Sequence, residues 1–293
     1  MTLIKELDYH FKEQDYRDGI HMSVSGQRKL ADIMEKILKG HIMKVSVITS
    51  CYNRKNTIRG AIESVLAQDY PDIEYIVVDG ASTDGSLEII KEYENRISKI
   101  ISEPDHGMYE AINKGIKAAT GDMVGLLHSD DFFYDSHVIS HVVKKMEETG
   151  ADFLYGNGLF VNYENTDKVV RDWIGGKYRT WKVKHGWLPL HPTCYIKRDV
   201  MMKRGLYNET YKIAADSDLL LRYLMGGDLT VAYLNEYIVR MRMGGLSTDN
   251  GRRKQMWKED IRVYHSHGIN PVVAKIEKMI WKVPQFIKAK IKF

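Results

Sequence analysis

Two short apolar runs that each stop at aspartate constrain this chain most. Ile73 to Val78 ends at Asp79, and Met123 to Leu127 runs into His128-Ser129-Asp130-Asp131. Apolar runs of this length, bounded by turn residues, read as strands buried on both faces. Strands buried on both faces belong to parallel sheets covered by helices, and such sheets bind ligands beyond the carboxyl ends of their strands. Asp79 and the pair Asp130/Asp131 are therefore expected to meet along one sheet edge.

The residues between these runs supply the crossovers. Val45 to Ser50 reads as a first strand, followed by a helix over about 55–67 with Ile58, Ile62, Val65 and Leu66 on one face. Ser82-Thr83-Asp84-Gly85 is a cap-rich turn into the next helix. Ile97 to Ile101 is a short third strand. Met108, Ala111, Ile112, Ile116 and Ala119 line a further helix, closed by Thr120-Gly121. The alternation predicts an α/β fold, a doubly wound and mostly parallel sheet flanked by helices with a C-terminal helical extension. We divide the chain into an N-terminal helical add-on or fusion remnant (1–43), a catalytic domain (44–249) and a basic amphipathic helical tail (250–293).

Paired carboxylates at a strand end can hold Mg²⁺ or Mn²⁺, which take oxygen ligands and share them with substrate phosphates. Asp130 and Asp131 fit that role, and they also fit capping of a following helix. Ile213-Ala214-Ala215-Asp216-Ser217-Asp218 opens another helix. There, Asp216 reads either as a cap or as a general base for a sugar hydroxyl. Trp173, Trp181 and Trp187, with Tyr178, are candidate sugar-stacking rings or core residues.

Four segments stand in order: SCYNR at 50–54, VVDGASTDGS at 77–86, SEPDHGMYEAINKGIKAATGD at 102–122 and LLHSDD at 126–131. Together they resemble the bacterial family 2 glycosyltransferases with the GT-A fold, over about 44–245. That resemblance implies an inverting, metal-dependent transfer of a hexosyl-type sugar from a nucleotide-sugar, usually UDP-linked. The acceptor would be a glycan or a polyprenyl-diphosphate-linked molecule in cell-surface polysaccharide biosynthesis. Carried over by motif, Asp79 reads the base or ribose, and Thr49, Tyr52 and Asn53 form the first-strand loop over the nucleotide. Asp130 matches the last acid of the metal motif, and Asp131 the acid that often follows it. Asp216 matches the second letter of the Glu-Asp base motif, and His191-Pro192-Thr193 the acceptor side. Met243-Gly244-Gly245-Leu246-Ser247 resembles a mobile loop near the donor. Asn113 keeps the second letter of an Arg-Asn pair, with Ile112 in place of the arginine. His128 stands at the first metal position and Ala215 at the usual Glu.

Those departures motivate an alternative, a catalytically silent sugar-nucleotide-binding protein. A nucleotidyltransferase is a further one, but Ser50-Cys51-Tyr52-Asn53-Arg54 lacks the glycine-rich phosphate loop that it would need.

Composition closes off other classes. A net charge of +4, from 43 Lys+Arg against 39 Asp+Glu, is too mild to argue for nucleic acid. Two cysteines, Cys51 and Cys194, suit free thiols in a reducing compartment. No run approaches the roughly 20 apolar residues of a spanning helix. MTLIKELDYHFKEQ carries charges where a signal peptide is apolar, so a cytoplasmic protein is expected, on the inner face of the membrane if it touches one.

Each end adds one motif. Leu30, Ile33, Met34 and Ile37 have helical spacing, and Asp18-Gly19-Ile20-His21 resembles the closing Asp-x-x-His block of SGNH hydrolases. Lacking the upstream serine, this segment is expected to have no esterase activity. At the other end, Val272, Ile276, Met279, Ile280, Val283, Ile287 and Ile291 recur at helical spacing, with Pro284 expected to kink the run. Lys275, Lys278, Lys282, Lys288, Lys290 and Lys292 lie between them. This helix could pack on the catalytic domain with a solvated lysine face. It could equally lie on anionic lipid, with Trp281 and Phe286 at headgroup level.

Overall fold

The computed structural model describes residues 42–244 and 253–292. The helical and Asp-x-x-His readings of residues 1–41, and Gly245-Leu246-Ser247, lie outside the described residues.

Strands β1 (Val45–Cys51), β2 (Ile73–Asp79), β3 (Lys99–Ser102) and β4 (Met123–Leu126) form the parallel half of one sheet, in the order β3-β2-β1-β4. Their crossovers are helices α1 (Ile58–Leu66), α2 (Ser86–Lys91) and α3 (Met108–Ala118). Alternate residues of each strand feed opposite faces. Ile48, Ile76 and Val78 pack with Ile112 and Ile116 of α3, while Val45, Val47, Tyr75 and Val77 pack with Ile58 and Ile62 of α1.

The register sets the functional edge. Cys51 pairs with Asp79, and Asp79 with Ser102, so three strands end in one row. The N–H of Leu127 donates to Ile48 O, bringing His128 and its acids to the same edge.

The other half of the sheet is mixed. It contains β5 (Phe132–Phe133), β6 (Phe153–Val161), β7 (Val169–Trp173), β8 (Tyr195–Lys197) and β9 (Val231–Arg242). β8 runs antiparallel between β4 and β6, and β6 and β9 pair in parallel. Gly125 of β4 faces Tyr195 of β8, and a Cβ there would stand 2.3 Å from the tyrosine ring. Helices α4 (Val138–Thr149), α5 (Thr180–Lys184), α6 (Arg198–Arg204) and α7 (Ala215–Leu224) complete this half. The doubly wound, helix-flanked α/β fold expected from the alternation is the one observed.

Two C-terminal helices follow, α8 (Arg253–Ser266) and α9 (Pro271–Lys292). The chain runs helically through Pro284 without a break. Over Lys275, Lys278 and Lys282 of α9 the lysine face is not the solvated one. Lys275 and Lys278 turn inward onto Asp260 of α8, at 3.0 and 3.8 Å. Val272, Val273, Ile276, Met279, Ile280, Val283 and Phe286 instead face outward, 44–66% exposed. Trp281 is half-buried, its indole N–H reaching His185 O at 3.4 Å. Among the described residues no helix is long and apolar enough to cross a membrane.

Candidate functional site

The loops after β1 and β2 are laced together. Asn53 N–H donates to Ser82 Oγ (2.9 Å) and Thr83 N–H to Asn53 Oδ1 (2.9 Å). Asn53 takes a left-handed φ of 51°, a conformation that Asn tolerates better than most residues. Asp79 is fully buried, holding the Ser82 N–H at 3.1 Å and the Ser102 hydroxyl at 2.8 Å. Tyr52 is exposed at the rim, whereas Thr49 is buried and accepts the Tyr75 hydroxyl at 3.1 Å. Gly80 is tight: a Cβ would lie 2.4 Å from Asp105 Oδ2 and 3.4 Å from Tyr52. Asp105 is thus a member of this edge that sequence spacing did not single out. Burial holds its carboxyl above the usual range.

Asp130 carries its carboxylate 4.0 Å from the Arg54 guanidinium. Its backbone carbonyl accepts from Arg242 Nη1 (2.7 Å). Asp131 is buried and accepts the Arg242 N–H at 3.0 Å, so it ties the strand end to β9. Burial, reinforced by the charge of Asp130, raises its pKa well above that of an ordinary aspartate. Among the described residues no three His, Cys, Asp or Glu side chains converge on one metal position. Hard oxygen donors from one or two carboxylates, completed by phosphates and water, are nevertheless the usual surroundings of Mg²⁺, and Asp130 and Asp131 fit that mode.

A run of side chains connects these acids to Asp216. The His128 and His191 rings lie 6.0 Å apart, and His191 Nε2 meets the Tyr207 hydroxyl at 2.6 Å. Tyr207 stacks on Tyr109 at 5.6 Å, and the Tyr109 hydroxyl donates to Ile213 O (2.7 Å) and reaches Asp216 Oδ1 at 3.5 Å. Burial pushes His191 down to about 3, keeping its imidazole neutral. Burial also raises the Asp216 pKa, and Lys278 of α9 partly opposes the rise.

α7, which carries Asp216, has no side-chain cap of its own. Glu259 of α8 replaces one, a single oxygen accepting the N–H groups of Lys212, Ile213 and Ala214 at 2.8–3.1 Å. Asp218 accepts Arg222 Nε and pairs with His267, each at 3.0 Å, and so anchors α8 rather than the site.

Asn113 is spent on bracing: its amide bonds Tyr207 N, Tyr207 O and Glu209. Lys114 is held between Glu103 and Glu110. Trp173 and Trp187 are buried and stacked, leaving Trp181, 55% exposed, as the ring open to solvent. A cleft of about 360 Å³ opens beside Tyr109, lined by His106, Met108, Glu209, Tyr211 and Lys212. Another, of about 260 Å³ between α4 and β9, holds none of the sequence-predicted residues. Both cysteines are buried. Burial raises the Cys51 thiol to about 12 and sends that of Cys194, which also feels Asp216, well above the usual value.

Comparison with known proteins finds glycosyltransferases of the same fold. An uncharacterized glycosyltransferase of Mycobacterium tuberculosis is 33% identical over 187 residues, 61% of this chain and 68% of its own. S. aureus TarS 1–349, solved in complex with UDP-GlcNAc, superposes with a TM-score of 0.61 at 18% identity, over 86% of this chain and 73% of that one. Against the longer TarS chain the match spans 44%. The mannosyltransferase PcManGT from Pyrobaculum calidifontis, in complex with GDP-Man and Mn²⁺, gives a TM-score of 0.59 at 16% identity, over 90% of this chain and 81% of its own. These likenesses share the GT-A fold, and the family described as glycosyl transferase family 2 matches residues 46–209. The parallel strand ends, the acids they carry and this match lead to one conclusion, that the chain belongs to glycosyl transferase family 2.

Proposed function

We propose that the protein is an inverting transferase that moves a sugar from a nucleotide-sugar, UDP-linked, to a glycan or polyprenyl-diphosphate-linked acceptor in cell-surface polysaccharide biosynthesis. The observation that carries this reading is the run of side chains His128, His191, Tyr207 and Tyr109, which leads from the strand end that bears Asp130 to Asp216. It provides donor and acceptor sides along one wall. Asp79 and the laced Tyr52–Asn53 loop hold the nucleoside, with Thr49 and Asn113 supporting from behind. A divalent ion, Mn²⁺ or Mg²⁺, bound by Asp130 and Asp131 with the donor's phosphates, would supply neutralising charge for the leaving diphosphate. Asp216 takes the proton of the attacking hydroxyl, and its raised pKa suits that task. Neutral His191 orients the acceptor beside it.

The domain division stands within the same proposal: 44–249 as catalytic domain, 250–293 as an extension and 1–43 as an add-on. The grip of Glu259 on residues 212–214 supports an extension that works with the catalytic domain. The outward apolar arc of α9, with exposed Trp181 against Trp281 of the same helix, suits contact with an anionic bilayer at the cytoplasmic face.

The test is a panel of UDP- and GDP-sugars, each with and without Mn²⁺, read by thermal shift and by turnover. A Mn²⁺-enhanced shift with one UDP-sugar, lost in Asp130→Asn, is expected. Binding without turnover on any acceptor would favour the silent sugar-nucleotide binder, motivated by His128 and Ala215.

A further inference from the structure

Beneath α9 lies a set of cations with too few acids. Arg171 of β7 donates to Gln285 Oε1 at 2.6 Å, and its guanidinium lies over the Phe160 and Phe286 rings at 4.5 and 5.7 Å. Lys282 and Arg171 have no carboxylate within ion-pair distance among the described residues. Among the described acids Lys278 has only Asp260 within ion-pair distance, at 3.8 Å, and Lys275 occupies that acid's other oxygen at 3.0 Å. One helical turn separates Lys278 from Lys282, so the cations form a row. That row begins within electrostatic reach of Asp216 and ends at Arg171.

Charges withdrawn from water without partners are costly. The titration shifts reflect that cost. Burial lowers Arg171 to about 10. It also lowers Lys282, which Lys278 and Arg171 repel in addition, to about 8. Burial acts on Lys278 in the same direction, but Tyr264, Asp260 and Asp216 outweigh it and keep that ammonium charged. A bound anion would reverse the penalty at Arg171 and Lys282 and add a further partner for Lys278.

We propose that Arg171, Lys278 and Lys282 form an anion subsite beside Asp216 that receives a phosphate group carried by the acceptor. This deepens the glycosyltransferase reading and rests on it, because the subsite aligns an acceptor hydroxyl only if Asp216 is the base. The phosphate could belong to a lipid or to a water-soluble phosphoglycan. The outward apolar arc of α9 begins on the flank next to this row, where a hydrocarbon chain leaving the phosphate would lie.

The experiment uses the full chain with the donor site saturated by UDP and Mn²⁺, titrated calorimetrically with inorganic pyrophosphate and separately with farnesyl phosphate. Both should bind. Lys282→Gln and Arg171→Gln should each weaken both at least tenfold while leaving UDP affinity unchanged, and Lys282→Arg should restore binding. Unchanged UDP affinity certifies that the variants fold. Tighter binding of farnesyl phosphate than of pyrophosphate supports the subsite with a lipid-borne phosphate, and equal binding supports it with a soluble one. No binding to the UDP-saturated wild type, or wild-type binding in both Gln variants, overturns it. Asp216→Asn separates the two readings: it should lower kcat by about two orders of magnitude or more and leave phosphate binding intact. Undiminished turnover in Asp216→Asn refutes the base assignment alone.

Discussion

Glu259 accepts the backbone N–H of Ile213 at 2.8 Å, and through that bond a C-terminal helix fixes the segment that presents Asp216. Burial alone would raise the pKa of this glutamate, but the N–H groups of residues 212–214 and the Gln255 amide lower it below the usual value. Its contribution to stability is therefore full above the unfolded pKa of about 4.3 and fades as pH falls through the lower folded value. Glu259→Gln should cost roughly 1–3 kcal/mol at pH 7 and less near pH 4. Urea denaturation at the two pH values checks this, and kcat should fall with stability because the α7 start is slackened.

Asp216 makes a second prediction. Its pKa is raised by burial and restrained by Lys278, so the acidic limb of kcat/KM should lie above the pH of an ordinary carboxylate, near 3.9. Lys278→Met removes the restraining cation and should move that limb to still higher pH. Asp216→Asn should lose about two orders of magnitude or more in kcat with donor affinity nearly intact. A pH–rate series on the three proteins decides the matter, and an unmoved limb in Lys278→Met would count against the pairing.

The third concerns Gly125. Its missing side chain leaves room for the ring of Tyr195 across the β4–β8 pair, where a Cβ would stand 2.3 Å away. Overpacking at such a contact costs about 1–3 kcal/mol. Gly125→Ala should lower the denaturation midpoint accordingly, and Gly125→Ala/Tyr195→Phe should not recover it, since the clash is with ring carbons.

Much of the parallel half was legible, and for a definite reason. Strands buried on both faces are rich in apolar and β-branched residues, so Val45–Cys51 and Ile73–Asp79 stand out even with Ser46, Thr49 and Glu74 inside them. The meeting of Asp79 and Asp130 at one edge follows from parallel order alone. The mixed half was not legible, because β6 and β9 pair across about eighty residues and no local spacing records a partner that remote. Asp105 and Glu259 were missed for a related reason. Each acts on backbone or on a glycine brought in from a distant segment, and each looks like a surface acid in its own neighbourhood.

The orientation of α9 shows the limit of helical spacing. Periodicity locates the two faces but not which one meets the domain, and here Asp260 draws Lys275 and Lys278 inward. A fourth prediction follows. Ile276→Ser/Met279→Ser/Ile280→Ser should reduce co-sedimentation with anionic phosphatidylglycerol vesicles at least fivefold, with turnover on a soluble acceptor unchanged. Equal sedimentation of the two proteins would remove the membrane assignment.

Cys194 carries a practical corollary. Its thiol is sealed behind the wall that holds Asp216 and is kept protonated, so maleimides and peroxide should pass it by while that wall stays closed. Alkylation at this position is then a clock for breathing of the acceptor side, built in by nature and readable by mass spectrometry without an added label. Ligands that lock the region shut should slow the clock.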